Sequence, residues 1–353
     1  MGEPNKIKLG ISIGDINGIG CEVALKTFLD NRMLDFCTPI FYASNKTISE
    51  QKKRLGLEIS FQGIPYAEKA HPGKINVCNV WKENPRIQFG EATEEGGKFA
   101  IKSLRAAVNA LKKNEIDVLV TAPINKNNIQ AEDFKFPGHT DFLAKELGGD
   151  SLMFMVSDDL RVGLLTDHVA VKNVANEITT KRVKDKVFTM MNSLKVDFGI
   201  RKPKIALLGI NPHSGDNGTI GEEDEKIMKP AIASMFDDGH QVYGPYSADS
   251  FFGSGNHKNF DAVIAAYHDQ GLIPFKTLAF GKGVNFTAGL SKVRTSPDHG
   301  TAYEIAGKGM ADANSFTEAV FLALKVFKNR EEYAELSKNP LKKHQLKKKT
   351  KAQ

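Results

Sequence analysis

The chain has 353 residues, of which 41% are hydrophobic and 25% are charged, values that are typical of a globular protein with enough chain for a large core. It has no apolar stretch long enough to span a bilayer and no N-terminal apolar signal core. Its three cysteines are scattered, which argues against a disulfide framework and favours a cytoplasmic, reducing compartment. The formal net charge of +6 arises from six lysines after Asn339, so it does not indicate a nucleic-acid-binding protein.

The first predicted strand runs from Ile7 to Ile13, and a glycine-rich turn and a helix from about Glu22 to Leu29 follow it. A turn in this position can bind phosphate. However, Gly14, Gly18 and Gly20 do not match the order G-x-G-x-x-G, and no G-K-[ST] follows them. The sequence therefore favours a tight strand-to-helix turn over a phosphate loop.

Strands and helices continue to alternate along the chain. We expect helices at 98–113, 180–194, after Gly221 and at 315–327, and strands at 117–120, near Ile205 and near Val263. This alternation predicts an α/β fold with a largely parallel sheet. Residues 339–353, rich in lysine and without Phe, Tyr or Trp, are expected to be a basic disordered tail, and neither nucleic acid nor a membrane is expected as a partner.

Three histidines, His168, His213 and His268, each follow an apolar run that predicts a buried strand. The carboxyl ends of parallel strands open into a shared crevice, so the three imidazoles are expected to meet there. Imidazole nitrogens suit a divalent metal ion with open coordination positions for a substrate. The alternative is that the three are unrelated polar residues at strand ends, and their repeated placement favours the shared metal site.

Two further segments predict an anion site. His139 and Thr140 precede a short helix, where Thr140 is either the N-cap or part of a site for phosphate or carboxylate. Lys276, Asn285 and Arg294 stand among small and apolar residues, a setting that fits capture of a phosphate or carboxylate. The residues from Arg294 to Gly300 are expected to form a polar turn.

The segment from His299 to Asp312 resembles the NAD loop of isopropylmalate and isocitrate dehydrogenases. The resemblance implies cofactor contacts by Gly300, Glu304, Ile305 and Asp312, with Glu304 on the adenosine ribose. An acidic residue there favours NAD over NADP, because it repels a 2′-phosphate.

Six segments together resemble the family of 4-hydroxythreonine-4-phosphate dehydrogenases of vitamin B6 biosynthesis: 14–20, 121–126, 137–140, 211–213, 267–271 and 294–302. The resemblance extends from Ile7 to Phe327. It implies a homodimer of two-domain α/β/α subunits, similar in fold to isopropylmalate dehydrogenase, with the active site in the interdomain cleft at the dimer interface. The domains would comprise residues 1–130 plus 275–335, which carry the cofactor loop, and residues 131–274, which carry the metal ligands and dimer contacts.

The same resemblance implies how the site is used. NAD and one divalent ion (Zn, Mg or Co) per site would serve the oxidation and decarboxylation of 4-phosphooxy-L-threonine to 3-amino-2-oxopropyl phosphate. The ligand set would be the three histidines named above, and the substrate contacts would be His139, Thr140, Lys276, Asn285 and Arg294. Asp249 and Asp269 are the candidate catalytic acids, and the sequence does not assign the general base between them.

Three alternatives remain open from the sequence. A paralogue could act on another 4-phosphorylated hydroxy acid, such as an erythronate or threonate phosphate. A dihydrodiol dehydrogenase of the same superfamily would not need the phosphate cations. A protein that binds metal or nucleotide without activity would yield no NADH from any substrate.

Overall fold

One mixed sheet of twelve strands organises the protein in the computed structural model, which describes residues 6–130, 134, 136, 138–149 and 151–340 and leaves the side chains of Thr140 and Asp141 undescribed. In chain order the strands are β1 (Ile7–Ser12), β2 (Cys37–Ala43), β3 (Phe61–Ile64), β4 (Ile75–Asn79), β5 (Val118–Thr121), β6 (Leu152–Val156), β7 (Arg161–Leu164), β8 (Ile205–Leu208), β9 (Val242–Tyr246), β10 (Ala262–Ala265), β11 (Val284–Ala288) and β12 (Val293–Pro297).

Helices alternate with these strands and cover both faces of the sheet. They are α1 (Gly20–Thr27), α2 (Met33–Phe36), α3 (Asn45–Arg54), α4 (Glu94–Lys112), α5 (His139–Leu147), α6 (Val174–Glu177), α7 (Thr180–Val196), α8 (Lys229–Asp237), α9 (Ala248–Gly253), α10 (His268–Leu278) and α11 (Asn314–Leu336). A π-helical turn, Asp224–Met228, leads directly into α8.

The strand order is β3-β4-β2-β1-β5-β12-β11-β6-β7-β10-β8-β9. The first six of these strands are mutually parallel, and so are the last four. Three successive antiparallel pairings, β12 with β11, β11 with β6 and β6 with β7, join the two parallel groups. The predicted α/β fold with a largely parallel sheet is confirmed, and the two parallel groups run in opposite directions.

The buried side chains divide into layers on the two faces of the sheet. On one face a single apolar cluster extends from β1 through β11 to β8 and includes the inner face of α11. On the other face the apolar residues form two separate clusters, one under α4 and α5 and one under α10. The strands between these two clusters, β12 and β11, carry the floor of a cleft, which Met153 of β6 borders.

Strand alternation explains why that floor is polar. Val293 faces the continuous apolar cluster, and the Thr295 hydroxyl donates to the Ala319 carbonyl of α11 on the same side, at 2.7 Å. Successive side chains of a strand point to opposite faces. Arg294 and Ser296 consequently point into the cleft, where both line its wall.

Several local predictions need correction. Arg294 to Pro297 belong to the buried strand β12, so the expected polar turn is wrong over those residues, because tertiary pairing with β5 and β11 outweighs their polarity. The N-cap of α5 is Gly138, so Thr140 is not the cap. The last helix ends at Leu336, nine residues beyond the predicted Phe327, because an amphipathic pattern does not mark where a helix leaves the core.

The predicted division into two domains stays a prediction. The proposed disordered tail, residues 339–353, lies almost entirely outside the described residues, since the structure describes only Asn339 and Pro340 of it. Within the described part of the chain, no helix is both long and apolar enough to cross a membrane.

Candidate active site

Arg294 lies at the centre of a cleft of about 240 Å³ and is only 2% exposed to solvent. Its Nε and Nη2 atoms donate to the Thr121 hydroxyl, at 3.1 and 2.5 Å, and its Nη1 atom donates to the Thr287 hydroxyl at 3.1 Å. No carboxylate forms an ion pair with it in the part of the chain that the structure describes. Two neutral hydroxyls orient the guanidinium, and neither balances its charge.

Burial of this cation is energetically unfavourable. Desolvation lowers the pKa of the Arg294 guanidinium to about 9, well below its ordinary value. A buried charge without a partner typically costs several kcal/mol in folding free energy. An anion in the cleft would remove most of that cost, so the charge of the site selects anionic ligands.

Further polar atoms of the cleft also lack partners. Nε2 of His139, Nε2 of His299 and Oδ1 of Asn285 are buried without a hydrogen-bond partner among the residues that the structure describes, and all three residues line the cleft. Burial, followed by the positive charges of Arg294 and Lys126, holds the pKa of His139 well below its usual value. A neutral imidazole at this position can donate a hydrogen bond to a bound ligand without adding a further charge.

Lys126 and Lys276 have different positions relative to this cleft. Lys126 lines the cleft, and its Nζ atom lies 3.5 Å from Nε2 of His168. Lys276 is half-exposed on α10 and forms an ion pair with Asp298 at 3.1 Å. Burial raises the pKa of Asp298, although the Lys276 charge opposes that shift. The predicted substrate role of Lys276 stays a prediction, and the structure adds Lys126 as a cation on the cleft wall.

The three candidate metal ligands follow three adjacent parallel strands. His168 follows β7, His268 begins α10 after β10, and His213 follows β8. The rings of His168 and His268 are 6.2 Å apart between centroids. Two imidazoles on one zinc ion would have centroids about 5 Å apart, given the usual metal–nitrogen distance. The donor chemistry and the strand placement therefore fit a metal site. The His168 and His268 rings would have to move closer together to bind the same ion.

The side chains are not gathered into a complete ligand set. Among the residues that the structure describes, no group of three or more His, Cys, Asp or Glu side chains lies close enough together to hold a metal ion. His213 is exposed and lies in a left-handed turn, in which five consecutive residues have φ between 42° and 82°. Metal ligation by the three histidines accordingly stays a prediction.

The two candidate catalytic acids lie beside these histidines. Asp269 Oδ1 is 2.7 Å from Nδ1 of His268, an arrangement that fixes the imidazole tautomer in many metal sites. Asp249 accepts a hydrogen bond from the Ser247 hydroxyl at 2.7 Å, and this bond is the main cause that lowers its pKa. The positive field of His213 contributes to the same shift.

The candidate cofactor loop is held by the opening glycine turn. Buried Asp15 accepts hydrogen bonds from the Asn17 backbone amide at 2.9 Å, the Asn128 amide at 2.8 Å and the Tyr303 hydroxyl at 2.7 Å. Ile19 donates its backbone N–H to the Thr301 carbonyl at 3.0 Å. The turn thus connects β1 to the loop that carries exposed Glu304.

Close packing explains the glycines of that turn. Gly14 has φ of 68°, and a side chain there would meet the Pro123 carbonyl at 2.2 Å. A side chain at Gly18 would meet the Thr301 carbonyl at 2.8 Å. The structure therefore supports the interpretation as a tight structural turn. Sequence reasoning missed the roles of Asp15, Tyr303 and Lys126 because their partners are distant in the chain, although all three lie in or beside the motif segments.

The fold and the cleft define an α/β protein whose cleft is lined by buried polar and cationic side chains. Comparisons with known proteins identify its family. Residues 35–323 match the family model of the pyridoxal phosphate biosynthetic protein PdxA. A 4-hydroxythreonine-4-phosphate dehydrogenase of Bacteroides thetaiotaomicron is 47% identical over 343 residues, which cover 97% of this chain and 94% of that protein. This chain therefore belongs to the PdxA family.

Two more relatives are informative. The D-threonate 4-phosphate dehydrogenase of Cupriavidus necator is 36% identical, over 88% of this chain and 95% of that protein. The crystal structure of 4-hydroxythreonine-4-phosphate dehydrogenase from Klebsiella pneumoniae matches with a TM-score of 0.79 and 29% identity, over 93% of this chain and 99% of that one. The relatives are named as dehydrogenases, which supports an oxidoreductase.

The buried imidazole predicts a pH dependence of stability. Because the pKa of His139 is lower in the folded protein than in the unfolded chain, the unfolded chain binds more protons below about pH 6.5. The free energy of unfolding should therefore fall as the pH is lowered from 7 to 5, and His139→Gln should reduce that slope by up to about 1.4 kcal/mol per pH unit. Urea unfolding at pH 7, 6 and 5 measures this slope, and substitution of the exposed His71 in His71→Gln is the control. An unchanged slope in His139→Gln would contradict the assignment.

Proposed function

We propose that this protein uses NAD and one divalent metal ion per active site to oxidise and decarboxylate 4-phosphooxy-L-threonine to 3-amino-2-oxopropyl phosphate, in pyridoxine 5′-phosphate biosynthesis. The observation that carries the proposal is the buried Arg294 guanidinium, which has an open cleft before it and no anionic partner among the described residues. A phosphate dianion would supply the missing charge. The 47% identity to a relative of this name supports the choice of substrate.

In this proposal the phosphate lies between Arg294 and the first turn of α5. The first backbone N–H groups of a helix have no partner within the helix and can bind an anion. His139 would donate from its neutral ring, and Lys126 would add a second positive charge. Thr140, Lys276 and Asn285 are the further substrate contacts that the family resemblance implies. Fixing the phosphate at one end orients the C3 hydrogen at the other, which lowers the entropic part of the barrier.

The reaction removes a hydride and then CO2. Bound NAD would accept the hydride from C3 while the hydroxyl proton is released, so that the C3 alcohol would become a ketone. The β-keto acid would then lose its carboxyl group as CO2 while a proton replaces it. A divalent ion held by His168, His213 and His268 would supply Lewis-acid polarisation of the C3 oxygen. Asp269 would hold the His268 ring in one orientation, and Asp249 and Asp269 are the two candidate proton acceptors.

The cofactor would lie on the loop that Asp15 and the opening turn hold. Glu304 is exposed there, which fits contact with a ribose hydroxyl, and Gly300, Ile305 and Asp312 would complete the surface. We also propose, from the family resemblance, a cytoplasmic homodimer with the active site at its interface and domains of 1–130 plus 275–335 and 131–274.

A second candidate is oxidation of D-threonate 4-phosphate, because a relative with that name is 36% identical over most of both chains. The two substrates share the phosphate and differ at C2, where one has an amino group and the other a hydroxyl. NADH formation with 4-phosphooxy-L-threonine, D-threonate 4-phosphate and D-erythronate 4-phosphate separates them. We expect the first to have the highest kcat/KM, by at least about tenfold, which corresponds to about 1.4 kcal/mol. Preference for D-threonate 4-phosphate would favour the second candidate, and preference for D-erythronate 4-phosphate would argue against both. No NADH from any of them would favour a binding protein without activity.

Arg294 should distinguish phosphorylated from unphosphorylated substrates. Charge-assisted hydrogen bonds contribute roughly 1.5–3 kcal/mol each, so Arg294→Ala should lower kcat/KM for 4-phosphooxy-L-threonine by at least about tenfold. The loss should be much smaller for 4-hydroxy-L-threonine, which has no dianion. Steady-state NADH formation measures both.

Arg161 provides a matched control for this comparison. Its guanidinium is partly buried over the Phe198 ring, 5.1 Å from the centroid, away from the cleft. Arg161→Ala should change both substrates equally. An equal fractional loss on both substrates in Arg294→Ala would mean that Arg294 supports the fold or the cofactor, and the phosphate assignment would fail.

Glu304 should set the choice of cofactor. A carboxylate that accepts from the ribose and repels a 2′-phosphate favours NAD. Glu304→Gln should therefore raise KM for NAD and shift the ratio of kcat/KM for NAD over NADP towards NADP by about tenfold. Exposed Glu331→Gln, on the far part of α11, is the control. Equal native use of NAD and NADP would argue against the assignment.

A further inference from the structure

The ends of β7, β10 and β8 are joined by side chains that the reaction itself does not require. These three adjacent strands precede His168, His268 and His213. Neighbouring strands lie about 4.8 Å apart, so imidazoles from three of them share one ion only if the strand ends hold a defined separation and offset. The inference below rests on the proposed metal site.

Thr166 joins the end of β7 to the end of β10. Backbone pairing continues past the strands, with the Leu165 N–H donating to the Ala265 carbonyl at 2.9 Å and the Thr166 N–H donating to the Ala266 carbonyl at 3.2 Å. The Thr166 hydroxyl donates to the same Ala266 carbonyl at 2.8 Å. Thr166 is only 2% exposed, so water does not compete for this bond. The hydroxyl thus fixes the chain two residues before His168.

Gln270 joins the end of β10 to the end of β8. Backbone pairing between these strands stops at Ile264 and Leu207. Beyond it, the Ala266 N–H donates to Gln270 Oε1 at 2.7 Å, and Gln270 Nε2 donates to the Gly209 carbonyl at 2.7 Å. The Gln270 carboxamide therefore bridges the two strand ends where backbone–backbone hydrogen bonds have stopped, and it fixes their separation.

Gly209 packs directly against the turn that contains His213, so the position of one determines the position of the other. A side chain at Gly209 would meet the Ser214 hydroxyl at 2.8 Å, so the turn packs directly against this residue. Asp224 accepts hydrogen bonds from the backbone amides of Ile210 at 2.9 Å and Asn211 at 3.0 Å. These bonds fix the two residues that connect Gly209 to the His213 turn. A left-handed backbone costs roughly 1–2 kcal/mol per non-glycine residue, so the turn persists only because its surroundings hold it.

We propose that Thr166 and Gln270 are positioning residues for a three-histidine divalent metal site. Their hydrogen bonds fix the three strand ends from which the imidazoles would reach one ion. Gln270 suits this task because it must accept and donate at once, which a carboxamide does and a carboxylate does not. Thr166 suits it because its hydroxyl reaches a buried carbonyl that already carries one bond.

Cobalt affinity of the metal-free full-length protein tests the proposal without turnover. The variants are Thr166→Val, which removes only the hydroxyl, and Gln270→Glu, which keeps the acceptor and loses the donor. Each should weaken Co²⁺ binding by about tenfold, the lower end of the loss typical when partners that orient metal ligands are removed. Thr166→Ser keeps the hydroxyl and should bind Co²⁺ as the parent does. Absorption titration with CoCl2 gives the dissociation constants, and thermal unfolding confirms that each variant is folded.

His213→Ala separates failure of this inference from failure of the metal site. If His213→Ala binds Co²⁺ as tightly as the parent, the proposed ligand set is wrong. If His213→Ala loses Co²⁺ binding while folded Thr166→Val and Gln270→Glu keep the parent's affinity, the ligand set stands and the positioning role is overturned. Loss of affinity in Thr166→Ser equal to that in Thr166→Val would also overturn it, because the hydroxyl would then not be the cause.

Discussion

The constraint on which the site depends is a cation buried in the middle of the sheet. Arg294 occupies β12, the strand at which the fully parallel half of the sheet meets its antiparallel joint. Strand alternation turns its side chain away from the continuous apolar layer and into the cleft between the two clusters on the other face. A guanidinium in this place destabilises the fold by several kcal/mol unless an anion accompanies it. The burial of Arg294 therefore lowers the stability of the ligand-free fold, and its role is to bind an anion rather than to contribute to packing.

Local pattern was sufficient for part of this architecture. The apolar runs before His168, His213 and His268 predicted three buried strands, and all three are present with nearly the expected bounds, because each run is longer than a turn and is followed by polar residues. The pattern also predicted the α/β class. It could not give strand direction, since the same buried run serves a parallel or an antiparallel neighbour, and so the antiparallel joint through β11 and β6 was not expected.

Pattern failed where long-range contacts decide the environment. The run Val293 to Pro297 contains an arginine, a threonine, a serine and a proline, and only pairing with β5 and β11 makes it a buried strand. The pairing of Lys276 with Asp298 crosses between α10 and the residue after β12, so sequence left Lys276 as a free cation. The opening turn was correctly interpreted as a tight structural turn, but its glycines could not indicate that its Ile19 amide bonds to the Thr301 carbonyl.

The polar groups around the site fall into two kinds, and the difference indicates what each does. Asp15, Thr166 and Gln270 each form a hydrogen bond with a partner from a distant segment, so they fix the chain before any ligand arrives. Both Arg294 and His139 line the cleft. Among the described residues, Arg294 has hydroxyl partners but no anionic one, and the Nε2 atom of His139 has no hydrogen-bond partner. Buried polar atoms are costly when unpaired, so a fold retains them where a ligand completes them. Polar groups with hydrogen-bond partners thus hold the chain rigid, and the groups that lack partners are left to bind the ligand. This arrangement lets a small anion be bound in one orientation, because little side-chain entropy remains to be lost on binding.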